Sequence, residues 1–339
     1  MQFEHEPRSV PGTDPPPRPK LVVVNAHDLL GMDLPLREKL LAPWLESQSL
    51  CMVHAWRGIG KTHFALGVAY ALASGGEFLD WRALAPVPTL YIDGEMPGPA
   101  LKDRVARIAA SNDAEPAPGY LRFITPDLQP DGVMPNLASY EGQQAIETVL
   151  GDARVIVIDN LSCLVRGGKE NEAESWQPVA DWALRMRATG RSVLFIHHSG
   201  KGGQQRGTSK REDLLDVVIA LQRPKDYVPD QGARFIVQFE KARSLFGQEV
   251  EPFEAALDTD EHGRQVWTLT AADDATDERV LELAELGLPQ AEIARELGVA
   301  RSTVMRKLRK AEEEGRYRTK PAKSSKAKRA AGGASNGHD

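Results

Sequence analysis

Cysteine is scarce in this chain: Cys51 and Cys163 are the only two in 339 residues. Each stands in or beside an apolar strand, and no CxxC pair or Cys/His cluster accompanies them. That pattern excludes a disulfide framework and a zinc site. Also missing is any apolar run approaching the length of a membrane span. The N-terminus is polar and proline-rich, unlike a secretory leader. These absences lead us to expect a cytoplasmic protein with no membrane partner. What remains suffices for a sizeable core, because a hydrophobic content of 41% over this length accommodates one large α/β domain and a small one.

Charge is unevenly distributed. From Arg301 onward twelve Lys and Arg stand against four Asp and Glu, a balance of +8, which leaves −14 for residues 1–300 of a chain whose net charge is −6. A basic end on an acidic body suggests a polyanionic partner at that end.

The most informative stretch is Leu50–Ala65, LCMVHAWRGIGKTHFA. It reads as a buried strand, a tight glycine-containing turn, and a helix opening at Lys61-Thr62. This is the context of a phosphate-binding loop, in which backbone N–H groups and a helix N-terminus wrap a phosphate. Ala55, Trp56, Arg57, Gly58, Ile59, Gly60, Lys61, Thr62 and His63 form the candidate loop. Ala55 departs from the G-x-x-x-x-G-K-[ST] pattern at its first glycine position. Lys61 is expected on the outer phosphates and the Thr62 hydroxyl on Mg²⁺.

Further strands are expected to end in chemistry. Thr89–Asp93 runs into Gly94-Glu95, so both Asp93 and Glu95 fall at the ligand-binding edge of a parallel sheet, Glu95 being better set to polarise a water. Arg154–Asn160 has four β-branched residues in a row before Asp159, the composition of a fully buried parallel strand. Asp159 takes the position of a Mg²⁺-holding carboxylate. Ser192–His198 ends in His197-His198, either of which could sense a γ-phosphate. Residues 199–211 are glycine-rich and basic and read as a loop. Ala233–Lys241, Phe253–Leu257 and Val266–Leu269 read as an antiparallel sheet edge.

Four regions follow: a disordered segment over 1–20, a P-loop domain over 21–272, a helix-turn-helix domain over 273–318 and a disordered basic tail over 319–339. Asp273–Asp277 reads as a polar linker. Beyond it, helices at Glu278–Leu286, Gln290–Leu297 and Arg301–Glu314 make the helix-turn-helix pattern, with Val304 and Leu308 inward. The third helix would present Arg301, Ser302, Thr303, Arg306 and Lys307 outward to duplex DNA.

Taken together, AWRGIGKT, YIDGE, VIVIDN, FIHHSGKGGQQRGTSKREDLLDVVIAL and FEKARS resemble the RecA-fold ATPases, most of all the plasmid RepA-type and DnaB-like hexameric replicative helicases. The resemblance covers about Ala26–Leu269. It implies a RecA-like α/β core with a mainly parallel central sheet, followed here by a small all-α module. It implies ATP and Mg²⁺ as cofactors, Glu95 as general base, Asp159 as Mg²⁺ carboxylate, and His197 or His198 as sensor. Arg206 resembles an arginine finger for a neighbouring subunit, and Lys241 with Arg243 resembles the K-x-R pair with the same task; the sequence leaves both open. Arg166, Lys169, Lys201 and Lys210 would line a central channel around single-stranded DNA in a homo-oligomer, expected to be a hexamer. No primase-docking domain is expected ahead of the motor, which points to a plasmid or other mobile element. Two rivals remain: an ATP-switched DNA-binding regulator or transposition or partition accessory, and a RecA- or KaiC-like assembly ATPase.

Overall fold

A computed structural model of the chain describes residues 21–166, 173–199, 212–224, 226–297, 301–313 and 315–317. Residues 21–36 belong to a separate unit. Within it α1 (Ala26–Gly31) is capped by Asn25, whose side chain accepts from Asp28 N, and no residue of that helix is buried.

The second unit begins with two short strands, β1 (Lys39–Leu41) and β2 (Leu45–Glu46). Then come β3 (Leu50–Ala55), α2 (Lys61–Ser74), β4 (Glu77–Phe78), β5 (Trp81–Arg82), β6 (Thr89–Asp93), α3 (Gly98–Ala110), β7 (Leu121–Ile124) and α4 (Tyr140–Val149). Next are β8 (Val155–Asp159), α5 (Leu161–Leu164), α6 (Ala173–Ala188), β9 (Ser192–His198) and β10 (Val217–Gln222). The chain continues through β11 (Arg234–Ala242), β12 (Phe253–Thr259) and β13 (Gln265–Ala271), and closes with α7 (Ala272–Glu285), α8 (Gln290–Glu296) and α9 (Arg301–Glu313).

Among the described residues, nine strands form the central sheet in the order β13-β12-β11-β10-β3-β9-β8-β6-β7. From β10 to β7 every neighbouring pair is parallel, and β11, β12 and β13 add an antiparallel edge. The expected α/β class and mainly parallel sheet are therefore present. Apolar side chains alternate along β3. Cys51, Val53 and Ala55 join the core beneath α2, with Phe64, Val68 and Leu72. Leu50 and Met52 join the opposite layer, with Ile146 of α4 and Trp176 and Trp182 of α6. A parallel sheet covered on both faces needs such all-apolar strands. Ahead of the P-loop strand, Leu40, Leu41, Trp44 and Leu45 enter the core.

Two readings need correction. The expected linker at Asp273–Asp277 is helical: α7 starts at Ala272, directly after β13 ends at Ala271. Lys307 is not presented outward either. It is buried, and its ammonium pairs with the buried carboxylate of Asp277 on α7. Charge alone made Lys307 look like a surface residue, and charge alone made Asp277 look like linker. Once paired, both can lie inside the helical module.

Candidate functional site

The parallel register brings the strand ends to one edge. Asp93 pairs with Asp159, Asp159 with Ile196, and Ala55 with His198. The expected site residues converge there because side chains just past the C-terminal ends of parallel strands open into one crevice. A cleft of about 370 Å³ is lined by Gly58, Gly60, Lys61, Thr62, His63, Glu95, Arg104, Asp159, Asn160, His198, Tyr227, Gly232 and Ala233. A larger groove of about 830 Å³ runs beside β7 and α4, lined by residues such as Phe123, Ile124, Met134 and Val149. It carries none of the phosphate-binding chemistry, and we place the functional site at the smaller cleft.

The loop is built as a phosphate cradle. Ala55 ends β3 as an ordinary strand residue, so the missing first glycine costs no backbone freedom there. Ile59 is buried in the core and Trp56 packs against it, while Arg57 is exposed. Gly60 has φ +119°, and a Cβ on it would lie 3.2 Å from Ala233 Cβ. Only glycine meets both conditions. Gly60 caps α2 with no side-chain hydrogen bond, so the helix N-terminus is open to a ligand. The Lys61 ammonium donates to Ala55 O at 3.1 Å and Trp56 O at 3.0 Å. Burial lowers its pKa to about 8, against the pull of Asp159 and Glu95. Burial and the nearby Arg104 and Arg107 lower His63 to about 4, so it is neutral at pH 7.

The carboxylates divide their roles. Asp159 is buried; burial raises its pKa to about 6, while hydrogen bonds from Tyr91 and Thr62 oppose the rise. The Tyr91 hydroxyl donates to Asp159 Oδ2 at 2.5 Å. Asp93 is spent on structure, accepting from Met96 N at 3.1 Å, Glu95 N at 3.2 Å and Thr125 Oγ1 at 3.1 Å. Glu95 is exposed to the cleft. Partial burial works to raise its pKa, but hydrogen bonds from Cys163 and Asn160 and the proximity of His198 and Lys61 hold it below the usual carboxylate value. Of the two histidines, His198 lines the cleft and His197 is buried.

The remaining expected residues lie elsewhere. Lys241 donates to the carbonyls of Glu212 and Asp213, and Arg243 Nη2 to Asp213 O at 2.6 Å, so neither lines the cleft of its own chain. Arg166 is exposed, and its guanidinium donates to Met134 O. Arg206, Lys169, Lys201 and Lys210 lie outside the described residues. On α9, Arg301, Ser302 and Arg306 are exposed and Thr303 half-buried.

Four neighbours escaped the sequence reading. Arg104 reaches the cleft from α3. Arg223 follows β10, donates to Gly58 O at 3.2 Å, and lies 4.4 Å above the Tyr227 ring. Asn160 caps α5. The strand-end rule that found Asp159 could have found Arg223, since β10 is parallel to β3; Arg104 and Tyr227 leave no such signal.

Lys61 in its loop, the uncapped α2 and the Asp159–Thr62 pair fit a nucleotide phosphate and Mg²⁺, and together with the sheet they define a P-loop ATPase domain. Residues 14–204 match the family described as the AAA domain, more than half of the 339 residues, and the chain belongs to that family. Residues 273–316 match the winged helix-turn-helix DNA-binding family. Among solved structures, the chain is similar to a KaiC-like protein of Pyrococcus horikoshii at 15% identity and TM-score 0.45, over 68% of this chain and 94% of that one. It is also similar to the flagellar accessory protein FlaH of Methanocaldococcus jannaschii at 10% identity and TM-score 0.43, over 66% of this chain and 91% of that one.

Proposed function

We propose that the protein is an ATP-hydrolysing, ring-forming DNA motor, a replicative helicase of a plasmid or other mobile element. It would hold single-stranded DNA in a central channel and duplex DNA at the helix-turn-helix. The convergence of Lys61, Thr62, Glu95, Asp159 and His198 on one cleft carries this reading. Lys61 binds the outer phosphates. Thr62 and Asp159 would hold Mg²⁺, which when bound offsets phosphate charge. Glu95 accepts the proton of the attacking water, and His198 reads the γ-phosphate. Arg206 or the Lys241–Arg243 pair would act on a neighbouring subunit's nucleotide. The distance of Lys241 and Arg243 from their own cleft is compatible with that role.

Strand displacement on a forked duplex tests the proposal. ATP should drive unwinding, a non-hydrolysable analogue should not, and Lys61→Ala should be inactive. Glu95→Gln should bind ATP normally and hydrolyse it about a hundredfold more slowly; a wild-type rate would remove Glu95 from the role of base.

One observation favours a second reading, an ATP-switched duplex-binding regulator. No residue separates β13 from α7, and Arg279 Nε of α7 lies 4.0 Å from Asp226. The neighbouring Tyr227 lines the nucleotide cleft. ATP hydrolysis without strand displacement would select this reading.

A further inference from the structure

The Glu95 carboxylate is held by groups that no phosphate-binding motif requires. Cys163 Sγ donates to Glu95 Oε2 at 3.2 Å. The Asn160 side chain makes a further hydrogen bond to Glu95. Both donors lie within four residues after Asp159, Asn160 directly after it and Cys163 on α5. Asn160 is the N-cap of α5, its side-chain oxygen accepting from Cys163 N at 3.3 Å. The cap thereby fixes the backbone that carries the thiol.

An independent feature presses the two segments together. Gly94 N donates to Asp159 O at 2.7 Å, which ties the turn after β6 to the end of β8. A Cβ on Gly94 would stand 2.9 Å from Cys163 Cβ and 3.0 Å from Leu164 Cγ. Glycine at that position is what lets the Glu95 turn lie against α5. The thiol is also in the right state to donate. Burial and the hydrogen bond and charge of Glu95 push its pKa up to about 12, so it stays S–H. A thiol held protonated is a weaker nucleophile and metal ligand than a thiolate.

We infer that Cys163 is a positioning residue for hydrolysis: its thiol orients the Glu95 carboxylate toward the water that attacks the γ-phosphate. The inference rests on Glu95 being the general base. A side chain that works only by orienting the base should affect turnover and leave nucleotide binding alone. Its effect should also vanish when the base is gone, because residues that act as a unit are non-additive.

The test uses the full chain. Hydrogen bonds to charged acceptors are stronger than neutral ones, though a thiol is a weak donor, so Cys163→Ala should lower kcat about five- to tenfold. The KM for ATP and the affinity for a fluorescent ATP analogue should stay within about twofold, the signature of an interaction used after binding. Cys163→Ser, which restores a donor, should recover most of the loss. In a Glu95→Gln background, Cys163→Ala should add no further loss. Infrared spectroscopy supplies a readout apart from turnover. The Cys163 S–H stretch, identified by its absence in Cys163→Ser, should lie at lower frequency than in Glu95→Gln. Four results would overturn the inference: wild-type or raised kcat in Cys163→Ala, a Ser variant as slow as Ala, independent multiplication of the two losses, or an S–H stretch unmoved by Glu95→Gln. If Glu95→Gln itself hydrolyses at the wild-type rate, the base assignment fails first and the inference with it. If Glu95→Gln is slow and Cys163 is silent, only the inference fails.

Discussion

Lys61 shows how much of the candidate site one side chain carries. Its ammonium already sits among loop carbonyls, at the open end of α2, with Asp159 and Glu95 nearby. Lys61→Ala should weaken ATP binding by at least about tenfold, the scale of one charge-assisted hydrogen bond, as read by titration with a fluorescent analogue. Gly94→Ala makes a different prediction, because the added methyl meets Cys163 and Leu164. Overpacking of this kind should destabilise the fold by about 1–3 kcal/mol in chemical denaturation, and should slow hydrolysis by displacing Glu95. The histidines show what the sequence left undecided at this scale. Successive strand residues point to opposite faces, so one of His197 and His198 had to face the cleft. Only the faces covered by each helix layer made it His198. Between Asp93 and Glu95 the sequence leaned to Glu95 without excluding Asp93, and the hydrogen bonds that Asp93 accepts from the turn N–H groups give it a structural task.

Helix α7 owes its existence to its partners more than to its own sequence. Its N-terminal half is acidic, yet Val280 and Leu283 are buried against Ile293 of α8 and Val304 and Leu308 of α9. Asp277 is buried with Lys307, and the partly exposed Lys310 lies 3.8 Å from its other oxygen. Replacing Asp277 with Ala leaves a buried ammonium unpaired, and should destabilise the helical module by about 3–5 kcal/mol. The double replacement Asp277→Leu/Lys307→Met should recover most of that loss in thermal melts, since an apolar pair of similar volume fills the same space. Recovery no better than either single variant would show that the pair is not a self-contained unit. Lys307→Ala should accordingly act through stability. Arg306→Ala, on the exposed face, should leave the melt unchanged.

At the scale of the whole molecule, the residues of the candidate nucleotide cleft all precede Ala271 and the helix-turn-helix follows it without a break. A chain ending at Ala271 should therefore retain ATP hydrolysis and lose duplex binding, checked by phosphate release and fluorescence anisotropy on the same preparation. In the full chain, Arg301→Ala or Arg306→Ala should cost about 1–3 kcal/mol at a preferred duplex and relax its sequence preference. Equal loss on all duplexes would instead assign these arginines to phosphates.

The sequence by itself determined the phosphate loop, the strand ends that carry Glu95, Asp159 and the His197-His198 pair, and the helical ending. Each rests on a local pattern: a glycine turn before a helix, a β-branched run closed by an acid, an apolar period of 3.6. The tertiary structure decided what depends on approach between distant segments. It set Arg223 beside Gly58 and Tyr91 against Asp159, and it brought Cys163 against Glu95 across the Gly94 contact. It also turned Asp277 and Lys307 inward as a pair, because a charge can be buried only once its partner is there to meet it.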